Sequence, residues 1–179
     1  VHGFPDDSGS WDHLTPKLND AYRVVAMDTR GYNLSDKPEG VDNYKMPKLV
    51  EDIQAVIKAE GVGKATVLGH DWGAVQAWNY AFAHPETLER LIIMSVPHPA
   101  LFGRQITQSP ENSNYARNFQ REGSEKNLTA EGLARSVSDP AEKAKYVEAF
   151  SRSSFAAMMN YYRANYPAAP KPGEAAPTF

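Results

Sequence analysis

The chain has 179 residues, 41% apolar and 23% charged, which is enough for one domain with its own core. It contains no cysteine, which excludes disulfides, thiolate metal sites and cysteine nucleophiles, and fits a reducing compartment such as the cytoplasm. A net charge of −3 gives no nucleic-acid footprint, and there is no apolar run long enough to span a membrane.

Val1-His2-Gly3 opens without an initiator methionine, where a strand reads as finishing. Val24–Met27 is an apolar run ending at Asp28 and predicts a buried strand. Residues 30–38 read as loop. Pro47 opens a predicted helix with Leu49, Val50, Ile53, Val56 and Ile57 at helical spacing, and Gly61 closes it. Thr66–Leu68 predicts a second strand. Val75, Trp78, Ala81 and Phe82 line one face of a second predicted helix, with Pro85 beyond its end. Leu91–Met94 predicts a third strand. This alternation predicts an α/β fold: a parallel sheet with flanking helices, its strands covered on both sides. Residues 1–99 read as that core. Residues 100–179 lack strand signals and read as a helical cap, in which Phe150, Phe155, Met158, Met159 and Tyr162 predict one helix face. The chain closes on a proline-rich loop at 167–177.

The richest stretch is Gly69-His70-Asp71-Trp72-Gly73, between a strand and a helix. A tight strand-to-helix turn lifts its central side chain above the carboxyl end of a parallel sheet, where such sheets bind ligands. The spacing Gly-x-nucleophile-x-Gly is that of a nucleophile elbow, with aspartate in place of serine. A carboxylate is already ionised at neutral pH and can attack an sp³ carbon without a base. The Trp72 N–H and the Phe4 N–H of the His2–Pro5 loop are candidate donors to developing negative charge. The competing reading of Asp71 is a helix N-cap.

His2-Gly3-Phe4-Pro5, the Asp71 turn, Val96-Pro97-His98-Pro99 and Arg30–Pro38 together resemble the epoxide hydrolases of the α/β-hydrolase fold. Asn33 stands where that pattern more usually has glycine. The resemblance covers the whole chain and implies epoxide plus water to vicinal diol, through a covalent ester on Asp71 and without a cofactor or metal. It also implies two cap tyrosines that hold and protonate the epoxide oxygen. Tyr162 matches through Asn160-Tyr161-Tyr162-Arg163, and Tyr115 through its spacing to Phe119-Gln120, although Arg121-Glu122-Gly123 departs from the usual sequence. Packing is the alternative reading of both tyrosines. His2, Pro5 and His98 are candidate pocket-lining residues. The implied partner is a small-molecule epoxide; no oligomeric state follows.

Two other classes share parts of the pattern. A haloalkane or haloacid dehalogenase would share the elbow, but Phe4 fills the loop position where such enzymes commonly place asparagine. Trp11, Trp72 and Trp78 include none in the cap, and no acid follows Met94 directly. A non-catalytic ligand-binding homologue would keep the pocket alone. The fold's order of nucleophile, acid and histidine needs a histidine late in the chain. The five are His2, His13, His70, His84 and His98, so the expectation is an interior piece of a longer protein, lacking its first strands, its acid and its histidine.

Overall fold

The computed structural model describes residues 1–108 and 110–167. The proline-rich loop read at 167–177 lies outside them from residue 168 onward. The helices, in chain order, are α1 (Thr15–Leu18), α2 (Met46–Ala59), α3 (Trp72–Ala83), α4 (Pro99–Gln108), α5 (Asn114–Gln120), α6 (Ala130–Leu133), α7 (Pro140–Arg152) and α8 (Phe155–Asn165). The strands are β1 (Ala65–His70) and β2 (Leu88–Met94), paired in parallel with Gly69 opposite Ile93 and His70 opposite Met94. α3 is the crossover between them. On the other edge of β1, the Val1 carbonyl accepts from the His70 N–H at 3.1 Å.

The α2 prediction holds. Leu49, Val50, Ile53 and Ile57 are buried, Pro47 sits in the first turn, and Gly61 follows the last turn at φ +70°. Two other expectations are corrected. Val24–Met27 forms no strand, and Val25 is 46% exposed. An apolar run becomes a strand only when a neighbour supplies the ladder, and none pairs with this segment among the described residues. Nor is the sheet covered on both faces, since Ile92 and Met94 of β2 are each 45% exposed.

The face through Val75, Trp78, Ala81 and Phe82 is not the one that α3 buries. Ala74, Ala77 and Tyr80 are its buried apolar residues beyond Trp72, whereas Phe82 is exposed and stacks on Trp78 at 6.0 Å. Close approach of a helix to a sheet selects small side chains, and helical spacing alone does not say which stripe meets the sheet. Val67, Ala77 and Tyr80 pack with Val50, Ile53 and Ile57 of α2 into one apolar cluster.

The predicted apolar face at 150–162 belongs to two helices. α7 carries Phe150; Ser154 then starts α8, its hydroxyl accepting the Ala157 N–H at 3.2 Å. Met158, Met159, Asn160, Tyr161 and Tyr162 of α8 are all buried. One apolar cluster joins Met158, Met159, Tyr161 and Tyr162 to Tyr32, Tyr44, Leu49 and Trp72, so it runs across the division drawn at residue 99. No helix among the described residues is long and apolar enough to cross a membrane.

The loop at 28–37 locks α8 to the lower layer. Its Gly31 carbonyl accepts the Ser154 N–H at 2.9 Å, and its Arg30 carbonyl accepts the Tyr161 hydroxyl at 2.8 Å. The Arg30 guanidinium makes two 2.6 Å bonds to Asp52 of α2, which fixes the loop from below. Asn33 explains its departure from glycine. It sits at φ +39°, a region asparagine tolerates, and its amide donates to Asp28 at 3.0 Å.

Gly31 has φ +91°, and a Cβ there would lie 2.7 Å from the Ala157 Cβ. Gly31→Ala should therefore destabilise the fold by more than about 1 kcal/mol, read as a lower urea midpoint with an unchanged slope.

Candidate active site

β1 ends in the turn that carries Asp71. Asp71 has φ +52° and ψ −123°, a strained conformation for a residue with a side chain. The turn is possible because its neighbours lack side chains. A Cβ on Gly69 would overlap the Gly73 carbonyl, and one on Gly73 would overlap the Val1 carbonyl. The Asp71 main-chain carbonyl starts α3 by accepting from Ala74 and Val75. Its carboxylate makes no capping bond to the helix. The N-cap alternative therefore fails for the side chain.

The carboxylate faces the His2–Pro5 loop instead. The Phe4 N–H donates to Asp71 Oδ1 at 2.8 Å. Gly3 lets the loop come this near, since a Cβ there would overlap Oδ1 and lie 2.6 Å from the Trp72 nitrogen. The Phe4–Pro5 peptide bond is cis. Burial pushes the Asp71 carboxyl above its ordinary pKa, opposed by the Trp72 and Phe4 N–H groups and by His70.

Tyr162 covers this turn. It is 2% exposed, and its ring meets Trp72 at 5.1 Å, Phe119 at 5.1 Å and Phe4 at 5.8 Å. Burial, then the nearby Asp71 and Tyr115, push its phenol far above the usual value, so it stays a neutral donor. Tyr115 is 52% exposed, with its ring 6.3 Å from that of Tyr162. Its pKa is raised by burial, then by Tyr166 and Asp71. Tyr161 points elsewhere, into Tyr32, Tyr44 and Trp72.

The remaining candidates divide. Pro5 continues the Phe4 loop. His2 is buried beneath the loop with both ring nitrogens occupied. Its Nε2 accepts the Thr29 N–H at 3.0 Å, which leaves Nδ1 to donate to the Gly3 carbonyl at 3.0 Å. It has no free nitrogen for a ligand, and burial holds its pKa down at about 4. His98 is likewise not brought to the site by its contacts. It is exposed, its ring packs on Trp78 at 5.0 Å and Phe82 at 5.7 Å, and its Nδ1 accepts the Ala100 N–H. A polar residue at the mouth of α4 serves that helix end first.

Sequence reasoning passed over Asp6. Its Oδ2 lies 3.8 Å from His70 Nδ1, and burial raises its pKa, opposed by His70. Its place directly after Pro5 was the available signal. In the sequence Phe119 is only a spacing marker, yet it contacts Phe4, Tyr115 and Tyr162.

An aspartate on a glycine-flanked turn, faced by a loop N–H, is the architecture of a known fold family. The family description "alpha/beta hydrolase fold" matches residues 1–174, and the chain belongs to that family. Among its relatives, Epoxide hydrolase 1 of Caenorhabditis elegans is 45% identical over 61% of this chain and 27% of its own length. The AB hydrolase superfamily protein YfhM of Bacillus subtilis is 38% identical over 92% of this chain and 63% of its own. Among solved structures, a mutant epoxide hydrolase from Bacillus megaterium superposes with TM-score 0.83 at 36% identity, covering 90% of this chain and 62% of that one. An epoxide hydrolase from metagenomes of hot environments gives TM-score 0.86 at 32% identity, covering 98% and 67%. The chain thus spans about a quarter to two thirds of the length of these relatives.

The buried neutral His2 has a pH consequence. Its folded pKa of about 4 lies below the ordinary 6.5, so the unfolded chain binds more protons between those values. Its contribution to stability is therefore complete above pH 6.5 and is lost as pH falls toward 4. Urea titrations across that window should show a downward slope that is reduced in His2→Gln. Equal slopes in the two proteins would contradict a neutral buried His2.

Proposed function

We propose that the chain carries the ring-opening machinery of an epoxide hydrolase, with Asp71 as nucleophile and Tyr162 and Tyr115 as oxygen-side donors. The observation that carries the reading is the Asp71 carboxylate at the Phe4 N–H, beneath the buried Tyr162 phenol. The names of the relatives support the same substrate class.

In the proposed step, an Asp71 oxygen attacks one epoxide carbon, and the ring C–O bond breaks toward the oxygen. Both tyrosine O–H groups donate hydrogen bonds to that oxygen as its charge grows, and one passes its proton across and is reprotonated from solvent, giving an alcohol and a 2-hydroxyalkyl ester on Asp71. A neutral donor suits this task because it leaves the carboxylate unpaired and nucleophilic, and the low-polarity aromatic surround strengthens each donated bond. Hydrolysis then places water on the ester carbonyl. The oxyanion formed would be met by the Phe4 and Trp72 N–H groups, and the diol would leave.

That second step needs a base. Among the described residues no histidine makes a hydrogen bond or ion pair to the Asp71 carboxylate, and His2 is committed to Thr29 and Gly3 and His98 to Ala100. The reading therefore has the 179-residue chain open the epoxide and retain the ester. The dehalogenase reading draws no support from the cap, whose aromatic groups about the site are tyrosines and phenylalanines.

Styrene oxide should add one equivalent to the chain, seen by intact mass spectrometry and mapped to Asp71. Asp71→Asn should show no adduct, and Tyr162→Phe should slow its formation on the order of 10²-fold. An adduct elsewhere, or none, would remove the assignment of Asp71; sustained diol production would remove the stalled ester.

A further inference from the structure

The two donor tyrosines are held by different means. Tyr162 is seated by Trp72 and Phe4 below it. Tyr115 is half exposed on α5, a helix of seven residues. α5 is fastened to α8 at both ends. At its start, the Tyr166 hydroxyl donates to the Ser113 hydroxyl at 2.8 Å, in a buried contact. At its finish, the Gln120 amide donates to the Tyr162 carbonyl at 3.1 Å and to the Tyr166 carbonyl at 2.8 Å. The Tyr162 carbonyl also accepts the Tyr166 N–H that closes α8, so the Gln120 amide ties the finish of α5 to the end of α8.

Gln120 touches neither Asp71 nor a tyrosine hydroxyl in any of these bonds. What it controls is the separation of two rings. Between the clamps, Tyr115, Phe119 and Tyr162 are in mutual ring contact at 6.0, 5.1 and 6.3 Å. The segment that follows α5 is secured separately, because Arg163 binds Glu125 at 2.6 Å and the Arg121 carbonyl at 3.0 Å. Losing the Gln120 bonds therefore frees the finish of α5 and lets Tyr115 pivot on the Ser113 clamp, while Tyr162 and the next segment keep their own anchors.

We propose that Gln120 is a positioning residue for epoxide opening, acting through Tyr115 by fixing its distance from Tyr162. This rests on the assignment of Asp71, Tyr115 and Tyr162 made above. Two convergent donors stabilise a developing alkoxide only while both reach the same oxygen. A displacement of about 1 Å is enough to lose one of them.

The test is the single-turnover rate of ester formation with styrene oxide, followed by intact mass on the 179-residue chain. Gln120→Met keeps the length and removes both donors. It should slow ester formation about tenfold, with the half-saturating epoxide concentration unchanged. In a Tyr115→Phe background the same substitution should cost less than about twofold, because the hydroxyl it positions is already gone. Equal slowing in both backgrounds would make Gln120 a general support of the cap and overturn the proposal. So would no slowing in a folded Gln120→Met protein. If Gln120→Met does not fold, Gln120→Glu keeps the shape and removes both donated bonds, and the same pair of outcomes decides. Failure of the unsubstituted chain to form any ester is a separate result, which removes the assignment of Asp71 and this inference with it.

Discussion

The structure depends on one close approach of backbone to backbone. The segment from Val1 to Phe4 runs so near the turn at 69–73 that neither Gly3 nor Gly73 has room for a Cβ, and Gly69 has none because the Gly73 carbonyl lies against it. Three consequences follow from that contact. The Phe4 N–H reaches the Asp71 carboxylate. Asp71 is held at positive φ, so its side chain leaves the helix it introduces. The start of α3 is fixed in rotation, which places Trp72 under Tyr162 and sets Ala74 and Ala77 on the buried side. The strain at Asp71 is tolerated because packing on both sides over-determines the turn.

A second layer of constraint comes from the loop at 28–37. It binds the lower layer through Arg30 and Asp52 and binds α8 through two of its own carbonyls. His2 joins the same assembly from beneath, since one ring nitrogen serves Thr29 and the other serves Gly3. The polar groups buried here are thus largely spent on holding loops in register. That is how a turn, a loop and a helix distant in sequence meet over one carboxylate with little regular sheet between them.

What the sequence revealed follows the range of the forces involved. The Asp71 turn was legible because its demands are local: two glycines, a preceding strand and a following helix. The α2 face was legible because a full helical period shows in five apolar residues. Val24–Met27 misled because a strand exists only through a partner, and partner identity is not written in an apolar run. The face of α3 misled because Trp78 and Phe82 are the bulkiest residues of their stripe, whereas the sheet needed the thinnest. His98 misled through proximity in the chain to a strand end, though its bonds serve the start of α4. Gln120 and Phe119 were visible as a spacing and silent as to purpose, because their bonds cross more than forty residues to α8.

Consecutive residues on a helix diverge by about 100°, and α8 uses that angle at Tyr161 and Tyr162. Tyr161 reaches down to the Arg30 carbonyl, while Tyr162 turns toward Trp72. Tyr162 is therefore placed in part from the floor of the molecule, through its neighbour's bond to the Arg30 carbonyl. No ring contact or hydrogen bond among the described residues joins α6 or α7 to Tyr162, so side chains on those two helices can vary while Tyr162 keeps its place over Trp72.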